Sequence, residues 1–203
     1  MEEKERILEF AEEKFFREGF YKTSMDEIAS GMGISKKTIY KYFESKDQLL
    51  NSIVEVFTRR MSIEIESIIK SDRHAIEKII GLTQTLKKIL IKISDRWLND
   101  IRVHRPSVWK TIEEFRTRMI ARNISIVFSQ GISEGYIIDV PPSIVITVFV
   151  SSVRAIINPE FIMNNSISAL QAVEYTFKIL FNGILTEAGR EAYNKIVSQK
   201  GQV

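Results

Sequence analysis

The sequence predicts an all-α protein, and three observations carry that expectation. Apolar residues recur at spacings of three and four along most of the 203 residues, which is the period of an amphipathic helix. Most of the 9 glycines lie where those runs stop or turn, and two of the 4 prolines form the pair Pro141-Pro142. No stretch alternates apolar and polar residues around an Asn-Gly or Asp-Gly turn, so hairpins are not indicated. A chain that is 44% apolar and 27% charged is composed like a globular domain and unlike a disordered or low-complexity segment.

The elements follow in order from breakers and caps. A helix is expected from Glu3 to Glu18, where Ile7, Leu8, Ala11 and Phe15 share one face and Gly19 ends the run. A second starts near Ser24 and ends by Gly31-Met32-Gly33. A short third covers about Lys36 to Tyr42. A long fourth begins after Ser45 and carries Leu50, Ile53, Val54, Phe57, Met61 and Ile65 on one stripe to about Lys70. Two more span roughly Arg73 to Ile93 and Asp95 to Val103. The next starts at Pro106, a good first-turn residue, and reaches about Glu134. Residues 144–150 are rich in β-branched types, but a lone strand has no partner, so a buried helix is expected from Pro142 to just before Pro159. The last pair covers about Ser168 to Leu185 and Thr186 to Val197.

Composition excludes several chemistries. There is no cysteine, hence no disulfide, no thiolate catalysis and no Cys-ligated zinc. His74 and His104 are the only histidines and lie 30 apart, so no metal site is expected. No Gly-x-Ser-x-Gly elbow, Ser-His-Asp order or paired-carboxylate spacing supports catalysis, and no cofactor is implied. The charged start Met1-Glu2-Glu3-Lys4-Glu5 is no secretory signal. The most apolar run, Ile144 to Val153, is about half the roughly 20 residues of a membrane span. A cytoplasmic protein without membrane contact is expected.

The first 50 residues carry the chemistry. Counted from Met25, Ala29 is small enough for a second helix to cross closely, Gly33 admits positive φ in a tight turn, and Ile28, Ile34 and Ile39 fill the wedge between two helices. Ser35 is placed to cap the second helix. Two helices joined through such a glycine form the motif that lays its second helix in the major groove of DNA. Lys36, Lys37, Thr38 and Lys41 lie on or beside that helix, and Tyr40 and Tyr42 offer hydroxyls to phosphate. Lys46 opens the fourth helix, as Thr23 and Ser24 open the second, where first-turn amides also attract phosphate. Residues 1–50 hold 9 basic and 11 acidic side chains, net −2, yet residues 35–46 carry four lysines against Glu44 alone. Positive charge is therefore concentrated on one element. Read alone, the lysines suit a solvated face, and Tyr40 and Tyr42 suit core aromatics; the turn beside the lysines ties them to DNA. Phe43 is assigned to core.

Thr23-Ser24-Met25-Asp26-Glu27-Ile28-Ala29, Met32-Gly33-Ile34-Ser35-Lys36-Lys37-Thr38-Ile39-Tyr40-Lys41-Tyr42-Phe43 and Ser45-Lys46-Asp47-Gln48-Leu49-Leu50 together resemble the DNA-binding domain of the TetR family of transcriptional regulators. The resemblance is strong over residues 5–54, and Phe181 to Glu187 is similar to the closing helix of some members. The middle of the chain matches only in length and helix count. A small residue, often Gly, tends to stand where this chain has Lys37. The resemblance implies an N-terminal three-helix DNA-binding domain over 1–48 and a ligand-binding and dimerisation bundle over 49–203. It implies that Lys36, Lys37 and Thr38 face bases, that Tyr40, Tyr42, Lys46, Thr23 and Ser24 hold phosphates, and that Lys41 does either. It further implies a homodimer on a near-palindromic operator of double-stranded DNA, mostly repressing, with a small-molecule effector that changes the spacing of the two heads. The alternative is a helical ligand-binding or adaptor protein whose head binds protein.

Residues 51–203 carry 20 basic and 15 acidic residues, and many arginines and lysines cluster between Lys87 and Arg122. That stretch reads either as a solvated face or as the source of an inward anchor, Arg102, Arg118 or Arg122, for an anionic effector. Trp97, Trp109, Phe115, Met119 and Phe149 would wall an apolar or amphipathic effector between helices. The apolar Pro142 helix should be covered on two sides. It offers Ile146, Phe149, Val150 and Val153, and the following long helix offers Val173, Phe177, Leu180, Phe181 and Ile184, as a two-fold interface.

Overall fold

The computed structural model describes residues 2–200, and among them it is all-α. The helices are α1 (Glu3–Glu18), α2 (Met25–Met32), α3 (Lys36–Tyr40), α4 (Lys46–Ile69), α5 (Ala75–Lys92), α6 (Asp95–His104), α7 (Pro106–Ser133), α8 (Pro142–Ile156), α9 (Pro159–Asn165), α10 (Ala169–Ile184) and α11 (Glu187–Lys200). An antiparallel bridge between Ile137 and Leu185 is the only β pairing among the described residues. No single described helix is long and apolar enough to cross a membrane.

Sequence reading missed α9. Its start was encoded: the Phe161 N–H donates to Asn158 Oδ1 at 3.0 Å, and Pro159 occupies the first turn. Seven residues are too few to display an apolar period, so the cap was the only local signal.

The chain gathers into two compact units. The first comprises residues up to Met61 together with Ile89–Phe115, and so extends past the expected 1–48 segment by α4 as far as Met61, the end of α5, α6 and the start of α7. Ile7, Ala11 and Phe15 of α1 are fully buried at a spacing of four, against Ile28, Ile39, Phe43, Leu49, Leu50 and Ile53. Each large side chain so buried contributes about 1.5–3 kcal/mol. Ring edges lock the α1 end: Phe15 meets Phe20 at 5.2 Å between centroids, and Phe16 meets Trp97 at 4.9 Å. α6 then ties itself to the turn after α1. The Ser94 N–H donates to the Phe16 carbonyl at 2.8 Å, and His104 stacks on Tyr21 at 4.3 Å. Gly19, with φ 96°, is required here twice over, since a Cβ would lie 2.6 Å from Asp100 Oδ2.

The second unit comprises Ser62–Lys88 and the chain from Arg116 onward. Its core holds Ile76, Ile79, Ile80, Val127, Phe128, Ile137, Val145, Phe149 and Leu185. α8 packs on α10, where Phe149 meets Phe181 at 5.6 Å and Phe177 at 6.4 Å.

That packing corrects the expected dimer stripe. Phe149, Val153 and Val173 are 3%, 2% and 0% exposed inside their own chain, so they have no surface left to offer a partner. Leu180, Phe181 and Ile184 pack partly against the same core. Ile146, Val150 and Phe177 are half-buried. The apolar side chains left outside are Ile144 and Val148 on α8 and Tyr175 and Ile179 on α10. A helix that is apolar nearly all round does not reveal in its sequence which side its own chain covers; that choice is made by the α8–α10 contact.

Candidate nucleic-acid interface

The α2–α3 pair is built by local rules. Ser24 caps α2: its Oγ accepts the Glu27 N–H at 3.2 Å, while Glu27 Oε2 accepts the Ser24 N–H at 2.6 Å and its hydroxyl at 3.0 Å. This reciprocal box satisfies first-turn donors that would otherwise be open. The two hydrogen bonds, backbone first, hold the Glu27 carboxyl below its ordinary value. α2 ends at Gly33, which takes φ 66° and ψ 30°, and the following Ile34 N–H donates to the Ala29 carbonyl at 3.0 Å. That left-handed cap turns the chain sharply enough for α3 to start three residues later. Ser35 caps α3, accepting the Thr38 N–H at 3.0 Å. α3 is regular only to Tyr40; residues 41–42 continue as a turn, with the Tyr42 N–H on the Ile39 carbonyl at 3.0 Å.

Ile39 is buried, which fixes the rotation of α3 and leaves Lys36, Lys37, Tyr40 and Lys41 exposed. Tyr40 keeps 43% of its surface. Thr38 is half-buried, and its hydroxyl lies 2.9 Å from that of Ser35. Ser35 thus serves the cap. Lys36 does not stand free: its Nζ donates to Asp26 Oδ2 of α2 at 2.7 Å, and that hydrogen bond raises its pKa. Tyr42 is half-buried against the core, and its hydroxyl donates to Glu3 Oε2 at 2.9 Å. Lys41 Nζ lies 5.3 Å from the Tyr42 ring centre.

One expected phosphate ligand is withdrawn into the fold and another is partly covered. Thr23 is 2% exposed and its hydroxyl donates to the Gly19 carbonyl at 2.8 Å, so its side chain is withdrawn from any ligand. A threonine four residues past a helix cap can bond the cap's carbonyl before it reaches solvent. Lys46 lies partly under cover, its Nζ 4.2 Å above the Phe20 ring and 3.3 Å from the Tyr21 carbonyl. Burial, and then the nearby Arg105 charge, push its ammonium below the usual lysine value. The Arg105 guanidinium also lies over the Phe20 ring at 5.0 Å and forks onto Asp47, with Nη2 to Oδ2 at 3.2 Å. The first turn of α4 is capped within the chain: Ser45 Oγ accepts the Gln48 N–H at 3.0 Å.

Asp26, Glu3 and Arg105 were not legible as parts of this surface. Their partners lie 10, 39 and 58 residues away, so only the fold reveals them. Glu27 was legible, since Ser24-x-x-Glu27 is a capping-box spacing.

The residues expected to bind an effector are divided. Trp97, Arg102, Trp109 and Phe115 belong to the first unit, and Arg118, Met119, Arg122 and Phe149 to the second. Trp97 is 4% exposed within the helix-turn-helix core and Trp109 packs against that core. Phe149 is core in the second unit. Arg122 faces outward, its side chain 60% exposed and its Nη1 3.4 Å from Glu66 Oε1. Spacing along the chain located these side chains on helices but not on the core they join. Among the described residues no cluster of three or more His, Asp or Glu offers a metal site.

Comparison with known proteins fits this geometry. The sequence profile of bacterial regulatory proteins of the tetR family matches residues 7–53. An uncharacterized HTH-type transcriptional regulator of Bacillus subtilis, YvaF, is 24% identical over 170 residues, covering 83% of this chain and 89% of its own. The solved structure of the ketosteroid transcriptional regulator KstR2 of Mycobacterium tuberculosis superposes with a TM-score of 0.58 at 23% identity, over 92% of this chain and 96% of that one. The SmeT–triclosan complex superposes with a TM-score of 0.63 at 15% identity, over 91% and 92%. These two structural likenesses show a shared fold.

Proposed function

We propose, from the premise that residues 7–53 place this chain in the TetR family of transcriptional regulators, that it is a ligand-responsive repressor acting as a homodimer on a near-palindromic operator. The observation that carries the reading is the presentation of α3: buried Ile39 below, exposed Lys36, Lys37, Tyr40 and Lys41 above. In this reading Lys36, Lys37 and Thr38 meet base edges, while Tyr40, Tyr42, Lys46 and the capped start of α2 meet backbone. Lys41 serves either.

A two-fold pair would set two copies of α3 about one DNA turn, roughly 34–36 Å, apart. The exposed stripes Ile144–Val148 and Tyr175–Ile179 support pairing through α8 and α10. An unpaired apolar stripe on two adjacent helices favours burial against its own copy.

The effector assignment falls to the second unit. The triclosan complex of SmeT supports an apolar or amphipathic small molecule. α4, which runs 24 residues from Lys46 to Ile69, is the continuous element available to carry the response. Effector binding would favour a population whose heads no longer match the groove spacing, lowering DNA affinity without any new contact to DNA. The protein would work in the cytoplasm, where its operator is.

Footprinting on the DNA flanking its own gene tests the reading. Two protected half-sites one helical turn apart, lost as salt rises, are expected. Absence of salt-dependent duplex binding overturns it.

A further inference from the structure

Asp26 is an acidic side chain on the surface that should meet a polyanion; its place in the first turn of α2 suits the helix dipole but does not require its contact with Lys36. The start of α2 is already capped by Ser24 and Glu27. Asp26 and Lys36 remain largely solvated, with side chains 68% and 46% exposed, so their pairing contributes little to folding. Yet the 2.7 Å contact joins the first turn of α2 to the first residue of α3, where a groove would lie.

We propose that Asp26 is a specificity-determining residue that acts with Lys36 as one reading head for a single G·C pair; the inference rests on the DNA-binding reading above. In the major groove a G·C pair shows two acceptors, guanine N7 and O6, beside one donor, cytosine N4. The Lys36 ammonium has three donors and gives one to Asp26. Two remain for guanine. The Asp26 carboxylate accepts that bond on Oδ2 and keeps lone pairs on both oxygens for cytosine N4–H. The pair therefore presents donors and an acceptor side by side, the complement of that base-pair edge. Thymine O4 in place of cytosine N4 would set oxygen against carboxylate. Away from the matching base pair, the carboxylate repels the duplex and keeps Lys36 from settling on any phosphate.

The test uses the full-length protein and duplexes selected by the wild type from a randomised pool. Each position of the selected site is then replaced singly by the other base pairs. Wild type should show one position per half-site where replacing G·C weakens binding about tenfold or more. Asp26→Ala should reduce the discrimination at that position severalfold and strengthen binding to unrelated duplex. Asp26→Asn, which can donate as well as accept, should tolerate pairs that present an acceptor there. Lys36→Ala should relax the same position, and the Asp26→Ala/Lys36→Ala double variant should relax it no further. If Asp26→Ala weakens all duplexes equally, or leaves every position's preference intact, the inference fails while the DNA-binding reading stands. If wild type shows no salt-dependent duplex binding, the reading itself fails.

Discussion

Asp100 of α6 accepts the backbone N–H of Tyr21 at 2.9 Å across 79 residues of sequence. Asp100 is 8% exposed, and its carboxylate holds the turn between α1 and α2 on which the helix-turn-helix is mounted. Removing it in Asp100→Ala leaves a part-buried donor without its partner, at about 1–3 kcal/mol. In a chain of this size that lowers the melting temperature by roughly 2–4 °C per kcal/mol. Operator affinity should fall as well, because the α1–α2 turn sets the placement of α2. Thermal denaturation with a parallel binding titration checks both; an unchanged melting temperature refutes the bracing role.

Lys46 makes a different prediction, since its burial works against the fold. Its folded-state pKa lies below the unfolded value through desolvation and then through Arg105. A depressed lysine pKa means the charged form is disfavoured in the native state. The cost is present below the folded pKa and is relieved as pH rises through it toward the unfolded value. The Phe20 contact at 4.2 Å returns part of that cost, about 0.5–1 kcal/mol for a partly exposed cation on a ring. Lys46→Met should therefore alter stability by less than about 1 kcal/mol, while weakening all duplexes alike and lowering the salt slope by about one. Loss of stability without loss of slope would place Lys46 in the structure and not on DNA.

Thr23 and Ser24 adjoin in sequence and separate in role. Thr23→Val removes the hydroxyl bond to the Gly19 carbonyl and should cost about 1 kcal/mol with no change in salt slope. Ser24→Ala removes the α2 cap and should cost about the same. The Glu27 carboxyl is held below its ordinary value chiefly by the Ser24 N–H. A depressed carboxylate stabilises above its unfolded value and loses that contribution as pH falls through the folded one. The stability gap between wild type and Glu27→Gln should accordingly close in acid, and a gap that persists below the folded pKa counts against the capping role. Chemical denaturation across acidic pH reads it.

These cases mark how far the sequence was legible. Ser24, Gly33 and Ser35 act within five residues of themselves, so caps and the left-handed turn could be read from spacing. Ile39 and Phe43 could be read because a short motif leaves only one way to bury them. Thr23 could not, because a hydroxyl has the same sequence signature whether it turns to solvent or to the preceding carbonyl. Trp97 could not be placed from sequence, since aromatic content marks both a ligand wall and a core; the structure packs it edge-on against Phe16.

The same limit applies to the expected dimer stripe, part of which lies buried inside its own chain. Val173 is 0% exposed and Ile179, six residues on, is 70% exposed on the same helix. Ile179→Arg puts charge on an outer stripe. It should leave helicity and melting of the isolated chain intact while shifting light scattering at micromolar concentration from two chains to one. Operator binding should weaken steeply, since each half-site is then bound alone. Val173→Arg places an unpaired charge inside the α10 packing, which is strongly destabilising, so it should lose fold and dimer together. The pair of variants separates interface from core. If Ile179→Arg and Val148→Arg both remain dimeric, the exposed stripes of α8 and α10 are not where two copies meet.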